Sequence, residues 1–141
     1  MAVVHVSTLA AGRDSLAAGA DGLAHIFHDQ VADDRLVALA RQSGTFVVPT
    51  LTILRDDEGY QNALDSVRRL HAAGVVILAG SDAPNTVAHG TGLHDELRHL
   101  VAAGLSPAEA LAAATSRPAT VFRLADRGRI APGMRARKSD R

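Results

Sequence analysis

The stretch "VVILAGSDAPN", Val75 to Asn85, decides the fold because an apolar run ends there in a carboxylate. Five apolar residues lead into a Gly-Ser pair, and Asp82 follows them. A short apolar run of this kind is typical of a buried parallel strand. In α/β enzymes the functional groups lie at the carboxyl ends of such strands. Asp82 is therefore the first candidate functional residue.

The rest of the chain alternates β-like and helix-like segments around that strand. Helical patterns follow each of the β-like runs, which are "AVVHV" (2–6), "GLAHIF" (22–27), "TFVVPTLTI" (45–53) and the opening stretch (75–79). Pro49 must end the ladder of the third run or lie at a bulge. Apolar runs without alternation predict an α/β fold with about four parallel strands covered by helices. We predict one domain over residues 1–126 and a tail over residues 127–141.

Capping residues mark where the helices begin. Ser7 is the predicted N-cap of the first helix, and Asp33 and Asp34 open the second. Ser106 is the predicted cap of a later helix, with Pro107 at its first position.

The segment "HDELRHL", residues 94–100, contains two histidines but lacks the pattern of a metal site. His94 and His99 are five residues apart, whereas a zinc-binding helical pair is four apart so that both rings share a face. Asp95 and Glu96, close to the helix start, are typical of a capped, solvated helix.

Composition excludes several classes of function. The chain of 141 residues is 47% hydrophobic with a formal net charge of zero, so it has no electrostatic footprint for nucleic acid or an anionic membrane. The absence of cysteine excludes disulfides and thiolate metal sites. Because the sequence has neither a signal peptide nor an apolar run long enough to span a bilayer, we expect a cytoplasmic protein.

Three polar residues occupy equivalent positions in the first, second and fourth βα units. His5 ends the first predicted strand, His25 ends the second, and Asp82 follows the fourth. Parallel strands bring their carboxyl ends to one edge of the sheet, so these side chains should converge there. Two imidazoles and a carboxylate suit zinc or a similar divalent ion, and Asp82 could take a proton from water bound to it.

Simpler interpretations stay open at this point. A single histidine near a strand end is more often an ordinary hydrogen-bonded residue than a ligand. A flavodoxin-like α/β domain without metal would also show this alternation, although the sequence has no Gly-rich phosphate loop.

Longer motifs make the pattern more specific. Four stretches carry a longer pattern: "VHVSTLAAGRDSLAAGADGLAHIF", "FVVPTLTI", "GVVILAGSDAP" and "HGTGLHDELRHLVAAGLSPAEALAAATSRPATVFRLADRGRIAPGMRA". Together they resemble the C-terminal half of the metal-dependent amidohydrolase superfamily, especially its prolidase-like and imidazolonepropionase-like branch. This resemblance implies half of a (β/α)8 TIM-type barrel, made of its last four βα units.

The resemblance also implies a role for each matching residue. His5 would be a metal ligand, and His25 a second ligand, or a group beside the metal where one ion is bound. Asp82 would bind the metal and act as the catalytic base. His89 and His28 would contact substrate. The implied reaction is hydrolysis of a non-standard amide, dipeptide or cyclic C–N bond in a small molecule, with one or two zinc or similar ions activating the water.

The sequence also departs from the family pattern. The His-x-His pair of the family's first strand and its fourth-strand Lys are both missing, and "PGMRARKSDR" replaces the expected start of a small β-sandwich. These departures indicate a partial chain, whether by truncation, frameshift or deliberate shortening. We expect it to form a homo-oligomer or to pair with a separate N-terminal half, with at most trace activity alone. The alternative is a non-catalytic half-barrel remnant or interaction module.

Overall fold

The computed structural model describes residues 1–84 and 89–135, which form a four-stranded parallel sheet packed against helices. The strands are β1 (Val3–His5), β2 (Gly22–Ala24), β3 (Phe46–Val48) and β4 (Val76–Ile77). They lie side by side in chain order, and each neighbouring pair is parallel. The predicted α/β fold with four parallel strands is confirmed, and all carboxyl ends share one edge.

Helices follow the strands as predicted, except for one short helix at residues 51–54 that lies within a predicted strand. They are α1 (Leu9–Ala17), α2 (Asp34–Ser43), α3 (Leu51–Leu54), α4 (Tyr60–Ala72), α5 (Thr91–Ala102), α6 (Pro107–Ala114) and α7 (Ser116–Val121). Asp33 caps α2 through its side chain, as its position indicated. Ser106 and Glu109 form a reciprocal capping box at the start of α6. None of these helices, in the part of the chain that the structure describes, is long and apolar enough to cross a membrane.

The prediction for the first helix start is wrong by one residue. Thr8, not Ser7, is the N-cap of α1, and its hydroxyl accepts a hydrogen bond from the backbone N–H of Ala11 at 3.2 Å. Both residues are good caps by type. Thr8 takes the role because its extended backbone directly precedes the first helical residue, Leu9.

All four strands are shorter than their apolar runs, and the backbone shows why the second and third end early. The third run, 45–53, ends as a strand at Val48, and residues 51–54 form α3 instead. Pro49 has no N–H to continue the ladder, and Thr50 then turns the chain with a left-handed backbone (φ 50°). The second run ends at Ala24 because His25 is also left-handed, with φ 66°.

The register separates the two faces of the sheet. The row that faces the helices is apolar and mostly fully buried, and consists of Val4, Leu23, Val47 and Ile77. The opposite row begins with the exposed Val3 and ends with the exposed Val76. Between them the ring of Phe46 lies over Gly22, where an added Cβ would be 2.4 Å from it. The core therefore lies between the sheet and the helices, and the other face is only partly covered.

Candidate functional site

Two histidines meet at the carboxyl edge of the sheet. His5 is the last residue of β1, and His25 directly follows β2, where its backbone N–H donates to the carbonyl of Val48 at 2.9 Å. The two ring centroids are 4.6 Å apart and the planes are inclined by 72°, an edge-to-face contact. The structure thus brings these two predicted site residues together.

Thr50 orients the ring of His25. The hydroxyl Oγ1 of Thr50 lies 2.6 Å from Nδ1 of His25, so this ring nitrogen is engaged and Nε2 is the one left to face the site. Both residues have left-handed backbones, which non-glycine residues adopt rarely and which often occur at functional sites. Partial burial lowers the pKa of His25, and the nearby imidazole of His5 lowers it further.

Asp82 leaves β4 in the same region. Gly80 passes so close to β3 that an added Cβ would lie 2.6 Å from Cγ1 of Val48, which lets the chain cross the strand end tightly. Asp82 follows in a left-handed conformation, with φ 52°, and is half-buried. Its charge acts on His25 and raises that pKa, against the larger effect of burial. The carboxylate therefore lies within electrostatic reach of the histidine pair.

The donor types suit a divalent metal, since imidazole nitrogen and carboxylate oxygen are usual zinc ligands. Within residues 1–84 and 89–135, no three His, Cys, Asp or Glu side chains form a group that could hold a metal ion. The metal role of His5, His25 and Asp82 stays a prediction.

The two candidate substrate residues have different surroundings. His28 is held against the start of α4, because Nδ1 is 3.1 Å from Oδ1 of Asp57, just before that helix, and its carbonyl accepts a hydrogen bond from Asn62 within it. His89 is exposed just before α5, and residues 85–88 of the preceding loop lie outside the described residues. The proposed substrate contacts of both histidines stay predictions.

Comparison with known proteins identifies the family of the chain. The model of the amidohydrolase family matches residues 1–138. This chain belongs to the amidohydrolase family. None of the curated proteins compared with it matches the sequence.

Several solved amidohydrolase structures share its fold. A Xaa-Pro dipeptidase with methionine bound in its active site is 24% identical over 94% of this chain, with a TM-score of 0.79. A putative prolidase from Bifidobacterium longum is 30% identical over 94%, with a TM-score of 0.75, and a molinate hydrolase is 18% identical over 94%, with a TM-score of 0.70. The chain spans 36%, 38% and 35% of these three proteins, about a third of their length. The predicted partial TIM-type barrel is confirmed.

The amidohydrolase chain contains a buried carboxylate that sequence reasoning placed in solvent. Glu96 on α5 is completely buried, which corrects the prediction of a solvated helix face. Burial raises its pKa to about 7, although backbone N–H groups of Thr52, Leu51 and Thr50 oppose that rise. A sequence signal was present, since the buried Gly92, Glu96 and Leu100 recur every four residues along one helix face.

Proposed function

We propose that this chain carries the C-terminal part of the active site of a metal-dependent hydrolase. Its substrate is a small molecule with a non-standard amide, dipeptide or cyclic C–N bond, and the reaction takes place in the cytoplasm. The observation that carries the proposal is the His5–His25 contact, 4.6 Å between ring centroids, within reach of the charge of Asp82. Membership of the amidohydrolase family supports the same chemistry.

In a completed barrel, ring nitrogens of His5 and His25 and the carboxylate of Asp82 would contribute ligands to zinc or a similar ion, since within the described residues of this chain the three do not form a metal-holding group by themselves. When bound, such an ion lowers the pKa of water and polarises the carbonyl of the bond to be broken. Thr50 keeps Nδ1 of His25 occupied, so the ring offers Nε2 to the site. The carboxylate of Asp82 accepts the proton of the attacking water and can return it to the leaving nitrogen.

We further propose that the site works in an assembly. A closed barrel of this type has eight strands, and the sheet here has four, with β1 and β4 at its open edges. Val3 and Val76, on the edge strands, are 45% and 38% exposed on the face that a complete barrel would fill. A second copy of the chain or a separate N-terminal half would cover this face. Alone, the chain should show at most trace hydrolysis.

Metal content tests the proposal directly. Purified chain is equilibrated with zinc, dialysed and measured by elemental analysis, alongside the variants His5→Ala and Asp82→Ala. We expect zinc to be retained by the wild type and lost from both variants, because each removes a donor. The exposed histidine of α5 provides the matched control, and His94→Ala should retain wild-type zinc.

Unchanged zinc in both site variants would contradict the enzyme proposal. It would favour a non-catalytic half-barrel whose histidines and Asp82 are inherited from an active ancestor. A wild type that retains no zinc, either alone or with the remaining strands supplied, would contradict the proposal as well.

A further inference from the structure

Glu96 is a completely buried acid that the proposed reaction does not use. Its Oε2 atom accepts hydrogen bonds from Thr52, at 2.8 Å from the backbone N–H and 2.9 Å from the hydroxyl. Its other oxygen, Oε1, is buried without an aligned hydrogen bond among the described residues. A buried carboxylate of this kind costs stability unless its surroundings compensate for it.

The hydrogen bonds that Glu96 accepts among the described residues lie at the turn between β3 and α3. The carboxylate accepts hydrogen bonds from Thr52 at the start of α3. The backbone N–H groups of Leu51 and Thr50 also favour its charged form. Glu96 thus interacts with the first backbone N–H groups of α3, a four-residue helix that is too short to be stable by itself. The turn depends on a residue 44 positions later in the chain.

Thr50 lies at the centre of this turn in a strained conformation. Its φ of 50° and ψ of 45° are left-handed, which is a rare outlier for a β-branched residue. Such a conformation persists only where the surroundings impose it. Pro49 on one side, with its fixed φ, and the Glu96 contacts on the other supply that constraint.

The strained turn is also what presents a hydroxyl to His25. Oγ1 of Thr50 lies 2.6 Å from Nδ1 of the histidine ring. A relaxed backbone at Thr50 would rotate this hydroxyl away, and the ring would lose the partner that distinguishes its two nitrogens.

We propose that Glu96 is a positioning residue: it locks the β3–α3 turn so that the hydroxyl of Thr50 accepts the Nδ1 proton of His25 and leaves Nε2 free for the site. The inference deepens the proposed function, on which it rests for the role of His25. The orientation itself needs no metal and can be measured without one.

The test measures the tautomer of His25 by ¹⁵N NMR of the metal-free full chain near pH 8.5, about two units above the ordinary histidine pKa. In the wild type we expect one tautomer with Nδ1 protonated. Glu96→Ala and Glu96→Gln should both shift the ring nitrogens toward the mixed tautomers of a free imidazole. Thr50→Val should give the same shift, and Thr50→Ser should restore the wild-type pattern.

Glu109→Gln is the matched control. It alters a glutamate of the α6 capping box, so it should lower stability while the His25 signals stay unchanged. If the Glu96 variants fold with reduced stability but keep the wild-type His25 pattern, the residue is only structural and the inference is overturned. Glu96→Gln keeps the side-chain volume and carries the test if Glu96→Ala does not fold.

Zinc titration of the same variants separates this inference from the proposed function. Loss of an orienting partner of a metal-binding histidine typically weakens affinity about 10- to 100-fold, which is the loss expected for Glu96→Gln. If the Glu96 variants shift the His25 tautomer but the wild type binds no zinc, the positioning role is supported and the proposed metal-dependent function is contradicted. Unchanged tautomers together with zinc binding would do the reverse.

Discussion

Glu96 carries a carboxyl group with a pKa of about 7 into the protein interior, and this makes the stability of the fold depend on pH. Because the folded pKa lies above the ordinary value of 4.5, the folded state binds the proton more tightly than the unfolded state. The contribution of Glu96 is then most favourable below about pH 4.5 and is lost as pH rises toward 7. The shift corresponds to roughly 3 kcal/mol.

Chemical denaturation at several pH values checks this expectation. Between pH 4.5 and 7, the free energy of unfolding of Glu96→Gln should rise relative to that of the wild type. Only the wild type has a buried group whose ionisation destabilises the folded state in this range. Taking the difference between the two proteins removes the contributions of histidines that titrate in the same range. A constant difference across this range would show that Glu96 has an ordinary pKa.

At the scale of single elements, α1 offers a test of local capping. Thr8 accepts the hydrogen bond from Ala11, whereas the neighbouring Ser7 is exposed and lies one residue too early. We expect Thr8→Ala to lower the free energy of unfolding by about 1 kcal/mol, the usual loss for an N-cap. Ser7→Ala is the matched control and should change it by less than about 0.5 kcal/mol. Thermal or urea unfolding of both variants measures this, and equal losses would contradict the assignment of the cap.

The element boundaries show where sequence reasoning succeeds and where it fails. The start of α2 at Asp33 and of α6 at Ser106 were predicted because a cap and the residues it bonds lie within three positions of each other. The end of β3 was not, since apolar side chains continue through α3. Leu51 and Leu54 are buried in a helix as well as they would be in a strand, so hydrophobicity alone does not distinguish the two.

At the scale of the whole molecule, the half-covered sheet predicts association. Among the described residues, β1 and β4 each pair with one strand only, so both leave an edge for a further strand. Val3 and Val76 are also exposed, at the two ends of the row that contains the buried Phe46. We expect scattering or sedimentation to show an assembly rather than a monomer. Val76→Lys should reduce the measured mass by placing a charge on the edge strand.

The exposed Asp14 of α1, on the helical side, provides the control. Asp14→Lys should leave the mass of the assembly unchanged. Association that is insensitive to Val76→Lys but is disrupted by Asp14→Lys would place the interface on the helices instead and contradict the proposed completion of the barrel.

The sequence by itself determined the order of the strands and of the longer helices, the parallel sheet, and the positions of His5, His25 and Asp82 near the strand ends. These features follow from periodicity, caps and turn residues, which act over a few positions of the chain. Only the tertiary structure decided that the two imidazoles touch, that Thr50 engages His25, and that Glu96 is buried against Thr52. The hydrogen bond between Thr50 and His25 spans 25 positions of the chain, and the one between Glu96 and Thr52 spans 44. Such pairings exist only once the fold has brought β2, β3 and α5 together.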